Sequence, residues 1–153
     1  MKVIIAAIGK MKKNSHEFEL VQEYIRKSKM DIQVVEAEEK RALSGEALKK
    51  AESELLLRAI PKGTRTIVLD EKGVLLSSRE LADILKNWQD QGAQNICFLI
   101  GGADGHSADL KNKADLKLSF GRMTLPHMLM RVVLAEQIYR AGSILANHPY
   151  HRD

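Results

Sequence analysis

Asn95-Ile96-Cys97-Phe98-Leu99-Ile100, followed by Gly101-Gly102-Ala103-Asp104-Gly105, decides the fold. An uncharged, mostly apolar run breaks off in a glycine-rich stretch, which reads as a strand passing into a tight turn. The strand is apolar on both faces, not only on alternate positions, so it must be covered from both sides. Strands of that kind belong to parallel sheets flanked by helices. Thr66 to Leu69 has the same character.

Outward from this core the pattern repeats. Short runs rich in Val, Ile or Leu predict further strands at Val3 to Ile8, Ile32 to Glu36, Arg65 to Leu69 and Leu116 to Phe120. Between them lie helical stripes. Ser15 to Lys29 places Phe18, Val21, Tyr24 and Ile25 on one face, and Ser44 to Ala59 does so with Leu48, Leu55 and Leu56. Each opens on a serine suited to capping. Ser77-Ser78-Arg79-Glu80 is a capping-box sequence heading a helix that carries Leu81, Ile84, Leu85 and Trp88 inward and stops at Gly92. A shorter helix starts at Ser107, and a last one runs from about Pro126 to about Ala146. Strand and helix alternate throughout. The expected class is therefore α/β, a mainly parallel sheet of five to six strands with helices on both faces, in one domain spanning residues 1–153.

The composition permits that fold and says less about partners. Apolar residues make up 44% and charged residues 29%, ordinary values for a folded domain. A balance of 24 Lys and Arg against 20 Asp and Glu leaves +4, which allows an anionic partner without demanding one. Basic residues gather locally at Lys10, Lys12 and Lys13, at Lys40 and Arg41, and in the tail at His148, His151 and Arg152. Cys97 is the only cysteine and lies inside the apolar strand, so it reads as a small core side chain. Residues 3 to 8 are too few to cross a bilayer or to form a signal-peptide core, which fits a cytoplasmic address without membrane attachment. His148 and His151 have no companion pair at zinc spacing, so no metal is expected.

In open parallel sheets ligands bind beyond the carboxyl ends of the strands. The segments to inspect are Asp70 to Gly73, Gly101 to His106 and Gly121 to His127. The glycines at 101, 102 and 105 let backbone approach a ligand, but they form neither a P-loop nor a complete dinucleotide fingerprint. Leu118 to His127 passes from strand through a glycine loop into a proline-led helix. Such a loop offers amides and carbonyls to the edge of a purine, although an ordinary strand-to-helix connection would look the same. No serine elbow or activated thiol is present, which disfavours nucleophilic catalysis. The last helix is apolar around most of its circumference, from Met128 to Leu145. That predicts sheet contact on one face and a partner subunit on another, with a central core helix of a monomer as the alternative. Asn147-His148-Pro149-Tyr150-His151-Arg152-Asp153 combines a stacking ring, proton-transfer groups and a phosphate partner, as a nucleotide substrate requires, with an ordinary frayed tail as the alternative.

Several of these pieces recur together in one family. Val68-Leu69-Asp70 with Gly73, Leu99-Ile100-Gly101-Gly102 with Gly105, Leu118-Ser119-Phe120, and Met123-Thr124-Leu125-Pro126-His127 appear in that order, followed by Arg131-Val132, Glu136-Gln137, Tyr139-Arg140-Ala141 and Asn147 to Arg152. The chain thereby resembles the RlmH family of SPOUT methyltransferases over nearly its whole length, with little of the likeness between Lys27 and Lys62. The resemblance implies a C-terminal trefoil knot, a homodimer and S-adenosylmethionine as cofactor. It also implies methylation of N3 of a pseudouridine in 23S ribosomal RNA, on the ribosome or its large subunit. By the same resemblance Leu69, Gly101, Phe120, Gly121, Arg122, Met123, Thr124 and Leu125 contact the cofactor, chiefly through backbone at Gly121-Arg122. His127, Tyr150, His151 and Arg152 are then the expected catalytic group around the base. Arg152 would bind phosphate and Tyr150 or a histidine would place the ring, with the acid and base roles open. Competing readings are a non-catalytic RNA- or ribosome-binding protein of the same fold, which would bind no cofactor, and a flavodoxin-like nucleotide binder, which would purify with flavin colour.

Overall fold

The computed structural model describes Met1–Asp153 throughout. Its strands are β1 (Lys2–Ile8), β2 (Asp31–Ala37), β3 (Arg65–Leu75), β4 (Asn95–Ile100) and β5 (Leu116–Ser119). The helices are α1 (His16–Lys27), α2 (Gly45–Arg58), α3 (Ser78–Asp90), α4 (Ala108–Lys113) and α5 (His127–Leu145). All five strands join one sheet in the order β2-β1-β4-β3-β5, and every neighbouring pair is parallel. The expectation of a parallel, two-faced sheet holds, at the lower of the two strand numbers allowed for.

Alternate residues of β1 show why both faces must be apolar. Val3, Ile5 and Ala7 join Ile96, Phe98 and Ile100 under α3 and α5, in a cluster with Leu81, Leu85, Leu134 and Ile138. Ile4, Ala6 and Ile8 turn the other way, joining Cys97, Leu99 and Val68 under Leu56 of α2 and Leu110 of α4. Cys97 is fully buried, and burial pushes its thiol up to about 12.

Local signals explain where the helices begin and end. Ser15 accepts the Phe18 amide at 3.2 Å, and the Ser77–Glu80 capping box closes in both directions, a device worth about 1 kcal/mol. After α3, Gly92 takes φ +93°, which lets its amide reach the Gln89 carbonyl and the Ala93 amide reach that of Trp88. These are the paired bonds of a Schellman stop. Two expectations need adjustment. Ser44 precedes α2 in an extended conformation but makes no side-chain cap bond, and Pro126 occupies the N-cap of α5 instead of its first turn.

β3 and β5 depart from the predicted bounds. β5 ends at Ser119, one residue short, while β3 resumes after an excursion and runs on to Leu75. Leu69 and Val74 both pair with Leu118, so residues 70–73 loop out between them. Gly73 makes this possible: a Cβ there would lie 2.6 Å from the carbonyl carbon and oxygen of Lys117.

α5 packs between α1 and α3 over the sheet. Its interior positions include Val132, Leu134, Ala135, Ile138 and Ala141, while Met128 packs on the cluster that holds Val21 of α1, and Ile144 and Leu145 meet the main cluster. Leu129 is its large apolar side chain left exposed. Packing within one chain therefore accounts for most of the apolar circumference.

Candidate functional site

Because the strands are parallel, their carboxyl ends share one rim. The three turns after β4, after β5 and within the β3 excursion meet there around a cavity of about 750 Å³, within the usual range of about 300–1,000 Å³ for small-molecule sites. Its apolar walls include Leu69, Phe120, Leu125 and Met130, and glycines 101, 102, 105 and 121 expose backbone. Of the eight residues expected at a cofactor, Leu69, Gly101, Phe120, Gly121, Met123, Thr124 and Leu125 line this cavity. Arg122 does not. It borders an adjoining groove with Glu71, Lys72, Gly73 and Leu75.

Side chains tie the three turns to each other. The Ser119 hydroxyl bonds the Glu71 carbonyl at 3.1 Å and accepts the Gly121 amide at 3.0 Å. Asp70 pairs with Lys111 of α4 at 3.4 Å. His127, at the start of α5, bonds the Gly101 carbonyl from Nε2 at 2.7 Å. A carbonyl only accepts, so Nε2 carries a proton, and in the neutral ring Nδ1 is the acceptor. His106, 4% exposed, uses the same tautomer logic: its Nε2–H donates to the Leu99 carbonyl at 3.0 Å, and its Nδ1 has no partner. Burial lowers the His106 pKa, which keeps the ring neutral. The cavity wall thus contains two imidazoles, each held through Nε2 on a backbone carbonyl, beside one glycine turn.

Beyond the cavity, buried Arg131 closes the end of β1. It donates to the carbonyls of Ile8 and Gly9 at 2.9 and 2.8 Å and pairs with Glu36, which also accepts the Met11 amide at 2.8 Å. Lys10, Lys12 and Lys13 follow β1, and Lys40 and Arg41 follow β2. All five are exposed, and the parallel sheet sets both clusters on the rim that carries the cavity. No group of three or more His, Cys, Asp or Glu is placed to hold a metal ion, and no helix is long and apolar enough to cross a membrane.

The tail lies elsewhere. Tyr150 donates its hydroxyl to Glu136 at 2.9 Å, packs tilted against Tyr139 with ring centroids 4.4 Å apart and lies under the Arg140 guanidinium at 4.7 Å. Burial and the Glu136 carboxylate push its pKa up to about 12. His151 accepts from Arg140 through Nδ1 at 3.1 Å and meets Asp153 through Nε2 at 2.8 Å. Asp153 pairs with Arg79 of α3, and Arg152 is exposed. None of Tyr150, His151 and Arg152 lines the cavity. Glu136, the nearer anchor, lies nine residues along α5 from His127, or about 14 Å at 1.5 Å per residue. Within one chain the structure brings His127 to the cavity and leaves the tail apart.

Sequence reasoning missed Glu52 and the structural role of Arg131, and it included His106 in a segment to inspect without giving it a role. His106 directly follows the glycine turn and could have been suspected for that. Glu52 left a trace too, standing midway between Leu48 and Leu56 on the inner stripe of α2. Arg131 left none, since its carbonyl partners are 122 or more residues away.

Comparison with known proteins agrees with this architecture. A family model described as predicted SPOUT methyltransferase matches residues 1–151. A protein of Paramagnetospirillum magneticum, "Ribosomal RNA large subunit methyltransferase H", is 50% identical over 152 residues, covering 99% of each chain. One of Rhodospirillum centenum with the same name is 45% identical over 152 residues, again covering 99% of each. Among solved structures, a probable methylase family protein from Haemophilus influenzae superposes with a TM-score of 0.54 at 10% identity, covering 99% of this chain and 70% of that one. That likeness bears on the fold alone.

Proposed function

The chain belongs to the SPOUT methyltransferase family, and on that premise we propose that it methylates N3 of a pseudouridine in 23S ribosomal RNA. It is a methyltransferase of ribosomal RNA that uses S-adenosylmethionine. One observation carries the cofactor assignment, and the pseudouridine follows from the family: three turns from distant parts of the sequence are bonded into a single cavity with apolar walls and backbone-rich edges. An adenosine ligand needs such a site, with apolar surfaces for its faces and main-chain groups for its edge. S-adenosylmethionine supplies, when bound, a methyl group made electrophilic by a positively charged sulfur.

In this reading Leu69, Gly101, Phe120, Gly121, Met123, Thr124 and Leu125 hold the cofactor, and Arg122, which borders the adjoining groove, gives no side chain to it. His127 fixes the Gly101 turn through Nε2–H and presents Nδ1 as an acceptor. The N3 proton of the base must leave before or during attack, so an acceptor, or donors that steady the resulting anion, must stand beside it. Tyr150 and His151 provide donors and acceptors, and Arg152 binds phosphate. About 14 Å of helix separates the tail's anchor from the cavity of its own chain, so the reading includes a homodimer in which one subunit's tail serves its partner's cavity. It also includes the trefoil threading of the family. In support, the order β4-β3-β5 makes the chain cross β3 after leaving β4, before α5 returns over the sheet beside α1. The substrate is rRNA in the assembled ribosome or large subunit, in the cytoplasm, with the exposed lysines of the rim facing phosphate.

Calorimetry of the full chain with S-adenosylmethionine, followed by methyl transfer to ribosomes from a strain lacking the gene, checks both halves. The expected result is a single binding heat and one methylated pseudouridine in 23S RNA by mass spectrometry. Absence of the heat, or a methyl on another nucleotide, would overturn the reading.

A further inference from the structure

Glu52 is the buried carboxylate of this molecule, 8% exposed, and its Oε1 has no hydrogen-bond partner. It presses on the backbone of Gly102, where a Cβ would lie 2.8 Å from its Oε2 and 2.9 Å from its Oε1. Gly102 lines the cavity, as do Asp104 and, one turn before Glu52 on α2, Lys49. Lys49, the cation one turn away, is engaged with Glu46 at 3.3 Å. Burial, then repulsion from Asp104 and Glu39, raises the Glu52 pKa above the usual carboxylate range.

A buried carboxylate without a partner costs stability unless something returns the lost solvation. Nothing in the chain does so here. A positively charged occupant of the cavity would, and the methyl-transfer reading supplies one, because the cofactor's sulfur is cationic before transfer and neutral afterwards. We propose that Glu52, held behind Gly102 without a counter-ion, is a specificity residue that favours cavity occupants carrying positive charge at the sulfur position over the neutral thioether product. It acts through the field across the glycine backbone and not by contact, and that field is strong where water is excluded. Asp104 is exposed and screened, so its share is smaller. The inference rests on the methyltransferase reading and adds to it a reason for the product to leave.

The test compares the wild-type chain with Glu52→Gln at pH 8, by calorimetric titration of S-adenosylmethionine, S-adenosylhomocysteine and sinefungin, whose amine replaces the sulfonium. Glu52→Gln should lose about tenfold in affinity for the two charged ligands and less than about twofold for S-adenosylhomocysteine. Its Tm should equal or exceed that of the wild type, because an unpaired buried charge is gone. Asp104→Asn should shift the same ratio less. If Glu52→Gln lowers the Tm, Glu52→Met gives the same comparison with the stripe of α2 filled. Equal losses for all three ligands, or an unchanged ratio, would overturn the proposal and reduce Glu52 to a support for the turn. A wild-type chain that binds none of the three would instead defeat the methyltransferase reading itself.

Discussion

The cavity at the rim and the C-terminal tail are built from opposite materials. Around the cavity the contacts on offer come mostly from glycine turns and main-chain groups, held still by the Ser119, His127 and Lys111 links. In the tail they come from side chains, Tyr150, His151 and Arg152, and the anchors are other side chains on α5 and α3. The first is fixed by the sheet; the second is fastened to a surface. The contrast fits the proposed division of labour, in which the cavity holds a ligand of constant shape and the tail meets the substrate.

The sharpest way to break this division is to remove the tail. Deleting Tyr150 to Asp153 should lower methylation by a factor on the order of 10² or more, leaving the calorimetric affinity for S-adenosylmethionine within about twofold. A parallel loss of binding would merge the two regions. Gly73→Val should give the opposite pattern. Its side chain would collide with the Lys117 backbone, costing about 1–3 kcal/mol in urea unfolding and abolishing cofactor binding through the displaced excursion. His127→Phe keeps the shape of the ring but strands the Gly101 carbonyl, so it should cost about 1–2 kcal/mol of stability and weaken cofactor binding about tenfold. Tyr150→Phe should have the smallest effect on stability, about 0.5–1.5 kcal/mol for the bond to Glu136.

Tyr150 also gives the tail an alkaline signature. Its pKa rises in the folded state to about 12, from about 10 in an unfolded chain, so the native state holds that proton longer. The stability it adds is complete below about pH 10 and is lost as the pH rises through about 12. Phenolate absorbance against pH should show this late titration in the wild type and lack it in Tyr150→Phe.

The parts of this molecule fixed by near neighbours were legible in the sequence. Ile96 to Ile100 reads as a doubly covered strand, and Ser77 to Gly92 carries both its start and its stop within a few residues. Most of the cavity wall was legible for a related reason, since it lies where parallel strands end. What could not be read depends on distant partners. Glu71-Lys72-Gly73 looks like the end of a strand, and only the pairing of Val74 and Leu75 with Leu118 and Ser119 shows that β3 continues. The tail's composition suggested chemistry but not location, because Glu136, Arg140 and Arg79 decide where it rests.

The chain's lone sulfhydryl, Cys97, is sealed between the two helical layers and stays protonated at working pH. Maleimide reagents should therefore pass over the native protein. A cysteine introduced at exposed Pro149 would then be the single attachment point for a fluorophore or spin label, and any movement of the tail during turnover becomes measurable without first removing a native residue from the core.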